Sequence, residues 1–134
     1  SFHDEDAVHS DRTSPFDADA SAKCRHALDE KQGDSPERIV VAQCVGPQFE
    51  SPEEIDALEI LGAHVVGMTL GPEQRLVSET GIPHISLVCS SNWASGRTPG
   101  DAKAHIDHNS VDENASEMQN LVAYCIVTLM EGNN

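Results

Sequence analysis

Between Gly62 and Asn92 the chain reads GAHVVGMTLGPEQRLVSETGIPHISLVCSSN, and no other stretch constrains the fold as much. A β-branched run leads into Met68 and Thr69. A segment with a proline near its start follows, and a second apolar run ends at Ser90, Ser91 and Asn92. Strand, tight turn, helix and strand in that order form the unit from which parallel sheets are wound. Parallel strands deliver the residues that follow them to one rim, and ligands of open α/β sheets bind beyond that rim. Two strand ends with polar residues therefore outline the beginnings of a site.

The flanking sequence extends the same pattern. Residues 1 to about 15 are acidic and without periodicity, closing at Ser14-Pro15. A moderately amphipathic helix is expected from Asp17 to Lys31, with Ala18, Ala22, Cys24, Ala27 and Leu28 as its apolar stripe. Ile39 to Val45 reads as a short buried strand. Ser51-Pro52-Glu53-Glu54 is a helix start with a capping box and a proline in the first turn. That helix is expected to carry Ile55, Leu58 and Leu61 inward and to stop at Gly62. His64–Met68 is the next expected strand, Pro72 opens a helix ending at Gly81, and Ile85–Cys89 is a third strand. After a loop beyond Asn92, a long helix is expected from about Ser110 to Glu131. Val111, Ala115, Met118, Leu121, Val122, Cys125, Ile126 and Leu129 form its apolar face. The class is α/β: a mostly parallel sheet with flanking helices, an open edge and a long C-terminal helix.

At 134 residues the chain fits one domain and can bury a core without disulfide or metal staples. Its 23 acidic residues outweigh 8 basic ones, for a net charge of −15. That balance argues against nucleic acid, whose phosphates need lysine and arginine. A solvated surface is the plain reading of the acidity, and a salt-adapted source the sharper one. Cys24, Cys44, Cys89 and Cys125 are widely spaced and form no CxxC pair, so neither a disulfide framework nor a zinc site is expected. No apolar stretch approaches a membrane span and no signal peptide is visible, which makes a cytoplasmic setting the default expectation. The chain begins at Ser1 without an initiator methionine, as a piece of a longer protein would.

Three strand ends offer chemistry. Gly46-Pro47-Gln48-Phe49-Glu50 follows the first expected strand, Met68-Thr69 follows or closes the second, and Ser91-Asn92 follows the third. A carboxylate, a carboxamide, a hydroxyl, an aromatic face and a thioether at one rim suit a flat heterocycle with amide-like edges. Singly, each has a plainer role: a turn, a core methionine, a helix cap at Thr69, a loop asparagine. His105 and His108 stand three apart but have no third metal ligand, so no metal is expected. His108 is better placed as a hydrogen-bond donor to a substrate hydroxyl.

At these residues the chain resembles the trimeric purine nucleoside phosphorylases, including their methylthioadenosine and methylthioinosine phosphorylase branch. The matching segments are VVAQCVGPQFESPEEIDAL, LGAHVVGMTLGPEQRLVSETGIP and SLVCSSNWASG, in family order. SFHDEDAVHSDRTSPF is similar to the segment that precedes them in that branch. The resemblance implies reversible phosphorolysis of a purine nucleoside. Inorganic phosphate is the co-substrate, no cofactor is needed, and a homotrimer is the assembly. By the resemblance Phe49 lies against the purine and Glu50 holds its ring N–H edge. Asn92 reads N7 and the 6-substituent, Met68 packs beneath the ribose, Thr69 donates to phosphate, and His108 meets the sugar 5′-hydroxyl. Asparagine at 92 beside Glu50 favours a 6-oxopurine such as inosine or guanosine, and NWASG leaves a 5′-methylthio nucleoside open. Members are about twice this long, so the resemblance makes residues 1–134 the carboxyl-terminal part of such a domain. The amino-terminal half with its glycine-rich phosphate loop would come from a longer chain or a partner subunit. The alternative is a non-catalytic nucleoside-binding or subunit-pairing module derived from the family.

Overall fold

A computed structural model describes residues 1–3, 9–106 and 109–131, side chains excepted for 109–114. Its elements run α1 (Ala18–Gln32), β1 (Val41–Gln43), α2 (Pro52–Ile60), β2 (Val65–Gly67), α3 (Leu70–Glu79) and α4 (Asn109–Glu131). They fall into two compact units. One comprises Ser1–Ser35, Thr69–Leu87 and Val122–Asn134; the other comprises Pro36–Met68 and Val88–Leu121.

In the first unit, Asp17 caps α1 by accepting from the Ala20 N–H at 2.8 Å, and Gly33, at φ +88°, ends the helix. Just past that end, the Ser35 N–H donates to the Asp29 carboxylate at 2.6 Å. The core is small: Cys24 and Ala27 of α1 are buried with Cys125 of α4, and Leu28, Ile85, Leu87, Tyr124 and Leu129 pack around them. Side chains this short bring the two helices close enough for each cysteine sulfur to approach the other's carbonyl, at 4.0 and 3.9 Å. Ala18 and Ala22, expected in the stripe, are exposed. At the rim, Tyr124 donates to Glu30 at 2.9 Å and lies under the Lys31 ammonium, 4.4 Å from the ring centroid.

The second unit contains the sheet. β1 and β2 pair in parallel with Val41 opposite Val65, Ala42 opposite Val66 and Gln43 opposite Gly67. The ladder extends at both ends, through His64 N–H to Val40 O at 2.9 Å and Cys44 N–H to Gly67 O at 2.8 Å. The expected capping box of α2 is present, with the Ser51 and Glu54 side chains each bonded to the other's backbone N–H. Ile55 is buried, but Leu61 is 81% exposed. Leu61 is the helical C-cap, its N–H still bonded to the Ala57 carbonyl at 3.1 Å, so its exposure comes from the lack of a packing neighbour at that end of α2 and not from a broken period.

Two further expectations shift. α3 begins at Leu70, so Pro72 sits inside its first turn, where a missing N–H costs nothing. Ile85–Cys89 is not a strand: it joins no ladder, and the sheet has two strands among the described residues. Ile85 and Leu87 instead pack against the cysteine core of the first unit. An apolar run reads alike in sequence whether it pairs or merely packs, and only a neighbouring backbone edge decides between them.

Candidate active site

The expected rim residues converge on a cleft of about 580 Å³ in the second unit. Phe49, Glu50, Met68 and Asn92 all line it, together with Trp93 and His64. The size suits a small heterocyclic ligand. Thr69 lies in the first unit as the N-cap residue of α3, exposed and making no side-chain capping bond. His108 lies outside the described residues.

The parallel register explains the first three positions. β1 and β2 end side by side, so the turn after Gln43 and the residue after Gly67 emerge at the same edge. Gly46 makes their contact possible. Its φ is +67°, and a Cβ there would stand 2.6 Å from the Met68 sulfur. The thioether therefore lies directly against the glycine backbone. Phe49 is half exposed and α2 starts just beyond it, with Glu50 immediately before the Ser51 cap.

Glu50 has a neighbour that the sequence did not suggest. Burial pushes the Cys44 thiol up to about 11, aided by the nearby Glu50 and Glu54 charges. Cys44 is thus a thiol at neutral pH, its sulfur 4.0 Å from the Ala42 carbonyl. The sequence showed it only as a small hydrophobe in an apolar run.

Asn92 is held from both sides. The Ser91 hydroxyl donates to its Oδ1 at 2.8 Å, and its Nδ2 donates to the Trp93 carbonyl at 3.0 Å. One N–H and one oxygen lone pair remain to face a ligand, which gives the carboxamide a fixed donor–acceptor edge. The Val40 N–H donates to His64 Nδ1 at 2.9 Å, so Nε2 carries the ring proton of the neutral side chain. Arg97 reaches back to α2, its Nη2 bonding Asp56 at 2.8 Å and Glu59 at 2.5 Å. Those hydrogen bonds raise the guanidinium pKa above its usual value. Sequence reasoning placed Ser91 at the rim without a role and missed His64 and Arg97. Adjacency to Asn92 was the signal for Ser91, whereas the other two depend on pairings across 24 and 41 residues.

No group of three or more His, Cys, Asp or Glu side chains arranged to hold a metal ion is found among the described residues, and none of their helices is long and apolar enough to cross a membrane.

The two-stranded parallel edge and the loop at 88–97 bring an aromatic, a carboxylate and a carboxamide to one cleft, the arrangement in which α/β folds hold small molecules. The chain belongs to the Phosphorylase superfamily, whose profile matches residues 1–129. It is 34% identical over 127 residues to a probable S-methyl-5′-thioinosine phosphorylase of Methanopyrus kandleri, covering 93% of this chain and 49% of the relative. A probable 6-oxopurine nucleoside phosphorylase of Thermococcus kodakarensis is 36% identical over 86 residues, covering 64% of this chain and 31% of its own length. Among solved structures, methylthioadenosine phosphorylase from Schistosoma mansoni in complex with adenine shares the fold. Its TM-score is 0.73 at 18% identity, over 96% of this chain and 50% of that one. The chain thus spans half or less of the length of these proteins. The family and the α/β class expected from the motifs are borne out.

Proposed function

We propose that this chain forms the base- and sugar-contacting part of a purine nucleoside phosphorylase, acting within a longer or split enzyme. The observation that carries the reading is the convergence of Phe49, Glu50, Met68 and Asn92 on one cleft. A 6-oxopurine presents a ring N–H and a carbonyl along one edge. Glu50 accepts the N–H, and the free N–H of Asn92 serves the carbonyl or N7. An aminopurine turns an acceptor toward Glu50, leaving two acceptors face to face, at a cost of roughly 1–3 kcal/mol. Relatives named for 6-oxopurine and methylthioinosine substrates support the same preference. A 5′-methylthio group is compatible with this reading.

In the reaction, phosphate attacks the anomeric carbon as the bond to the purine nitrogen breaks, and the purine leaves with the bonding electrons. Asn92 stabilises the charge that develops on the departing base, an interaction stronger in the transition state than in the substrate. Met68 supports the pentose, Thr69 donates to phosphate and His108 meets the 5′ end of the sugar. Inorganic phosphate is the co-substrate, and the chemistry requires neither metal nor cofactor. A homotrimer, or a subunit supplying the remaining half, completes the phosphate side.

The test uses the chain's one tryptophan, Trp93, which lines the cleft. Hypoxanthine should change Trp93 fluorescence saturably, with a Kd in the micromolar to millimolar range. The isolated chain should show no phosphorolysis of inosine. Absence of any base binding would sink the site assignment, and turnover by the isolated chain would sink the part-enzyme claim.

A further inference from the structure

The loop that carries Asn92 and Trp93 is strapped to the helix that follows Phe49 and Glu50, and the strap has two points. Gly96, at φ +73°, lies so near the first residue of α2 that a Cβ there would stand 3.1 Å from the Pro52 Cβ. One turn further along the helix, Arg97 Nη2 bridges Asp56 and Glu59. Those carboxylates are three residues apart and so lie on one face of α2. The Arg97 N–H also closes a turn onto the Ala94 carbonyl at 3.0 Å, so the guanidinium is anchored a few residues from Trp93.

We infer that Arg97 is a positioning residue: by clamping its loop to Asp56 and Glu59, it sets the distance between Asn92–Trp93 and Phe49–Glu50. The base site is assembled from these two segments, which are far apart in sequence, and neither β1 nor β2 contains the second of them. A link from the loop to α2 is therefore what fixes their spacing. The pairs are exposed at the acid end, 61% and 66%, so they contribute little to global stability. Their contribution is to local order, and salt weakens it. The inference rests on the base-site reading only for its consequence on affinity.

The experiment follows Trp93 by time-resolved fluorescence anisotropy in the full 134-residue chain, alongside hypoxanthine affinity and helix content by circular dichroism. In R97A the amplitude of fast indole motion should about double, and hypoxanthine affinity should fall about three- to tenfold, with helix content unchanged. R97K should recover part of the effect, because an ammonium reaches one carboxylate where the guanidinium spans two. The pair D56N/E59Q should reproduce the loosening, and adding R97A to it should change nothing further. Unchanged anisotropy in R97A, or loosening that D56N/E59Q does not reproduce, overturns the clamp. If the wild-type chain does not bind hypoxanthine, the base-site reading fails, and the clamp is still decided by anisotropy alone.

Discussion

Asn92 enters the cleft with half its hydrogen-bonding capacity already committed to Ser91 and Trp93. A side chain fixed in this way discriminates by which donors and acceptors are left over, and in the proposed role Glu50 discriminates by the same logic. Exchanging the carboxamide for a carboxylate removes the free N–H and adds an acceptor. Asn92→Asp should therefore shift the ratio of hypoxanthine to adenine affinity toward adenine by about tenfold or more, read by Trp93 titration with both bases. An unchanged ratio would show that Asn92 does not meet the 6-substituent.

At the scale of elements, α2 depends on its first turn. Ser51 and Glu54 satisfy each other's backbone N–H groups, so Ser51→Ala should cost about 1 kcal/mol and lower the thermal midpoint by a few degrees. Because Glu50 and Phe49 lead directly into that cap, base affinity should fall with it. Contact between α1 and α4 gives a pH dependence. Burial, with Cys125 alongside, pushes the Cys24 thiol from 9.0 up to about 11. A folded pKa above the unfolded one means that the stabilisation is complete below pH 9 and is lost as pH rises through about 11. Thermal melts should show a decline across that window that Cys24→Ala lessens; an equal decline in the variant would remove Cys24 as its cause.

For the molecule as a whole, the dominant electrostatic fact is a net charge of −15. Like charges repel one another most when screening is weak, and the screening length falls from about 30 Å at 0.01 M salt to about 8 Å at 0.15 M. The thermal midpoint should rise on going from about 0.01 to about 0.15 M sodium chloride. Over the same range Trp93 should loosen as the Arg97 pairs are screened. Global stability and loop order moving in opposite directions would separate the surface field from the clamp; a midpoint that falls with salt would refute the repulsion argument.

Local signals in the sequence were enough for the helices and for four of the residues that line the cleft. The Asp17 and Ser51 caps, the glycines that end α1 and α2, and the β-branched runs around Val41 and Val65 depend on neighbours within a few residues, so their signatures are readable. Phe49, Glu50, Met68 and Asn92 were legible because their positions beyond apolar runs and their family pattern coincide. Pairing was not legible. Ile85–Cys89 had the composition of a strand but joins no ladder, and Leu61 had the spacing of a core residue but is exposed at the end of its helix. Composition also gave no sign that Cys44 would lie beside Glu50, that Val40 would fix the His64 tautomer, or that Arg97 would find Asp56 and Glu59 across 41 and 38 residues. Sequence by itself determined what is set by bonds along the chain: caps, turns and periodicity. Tertiary structure alone decided which distant groups meet, because their interaction energy exists only once the backbone has brought them within reach.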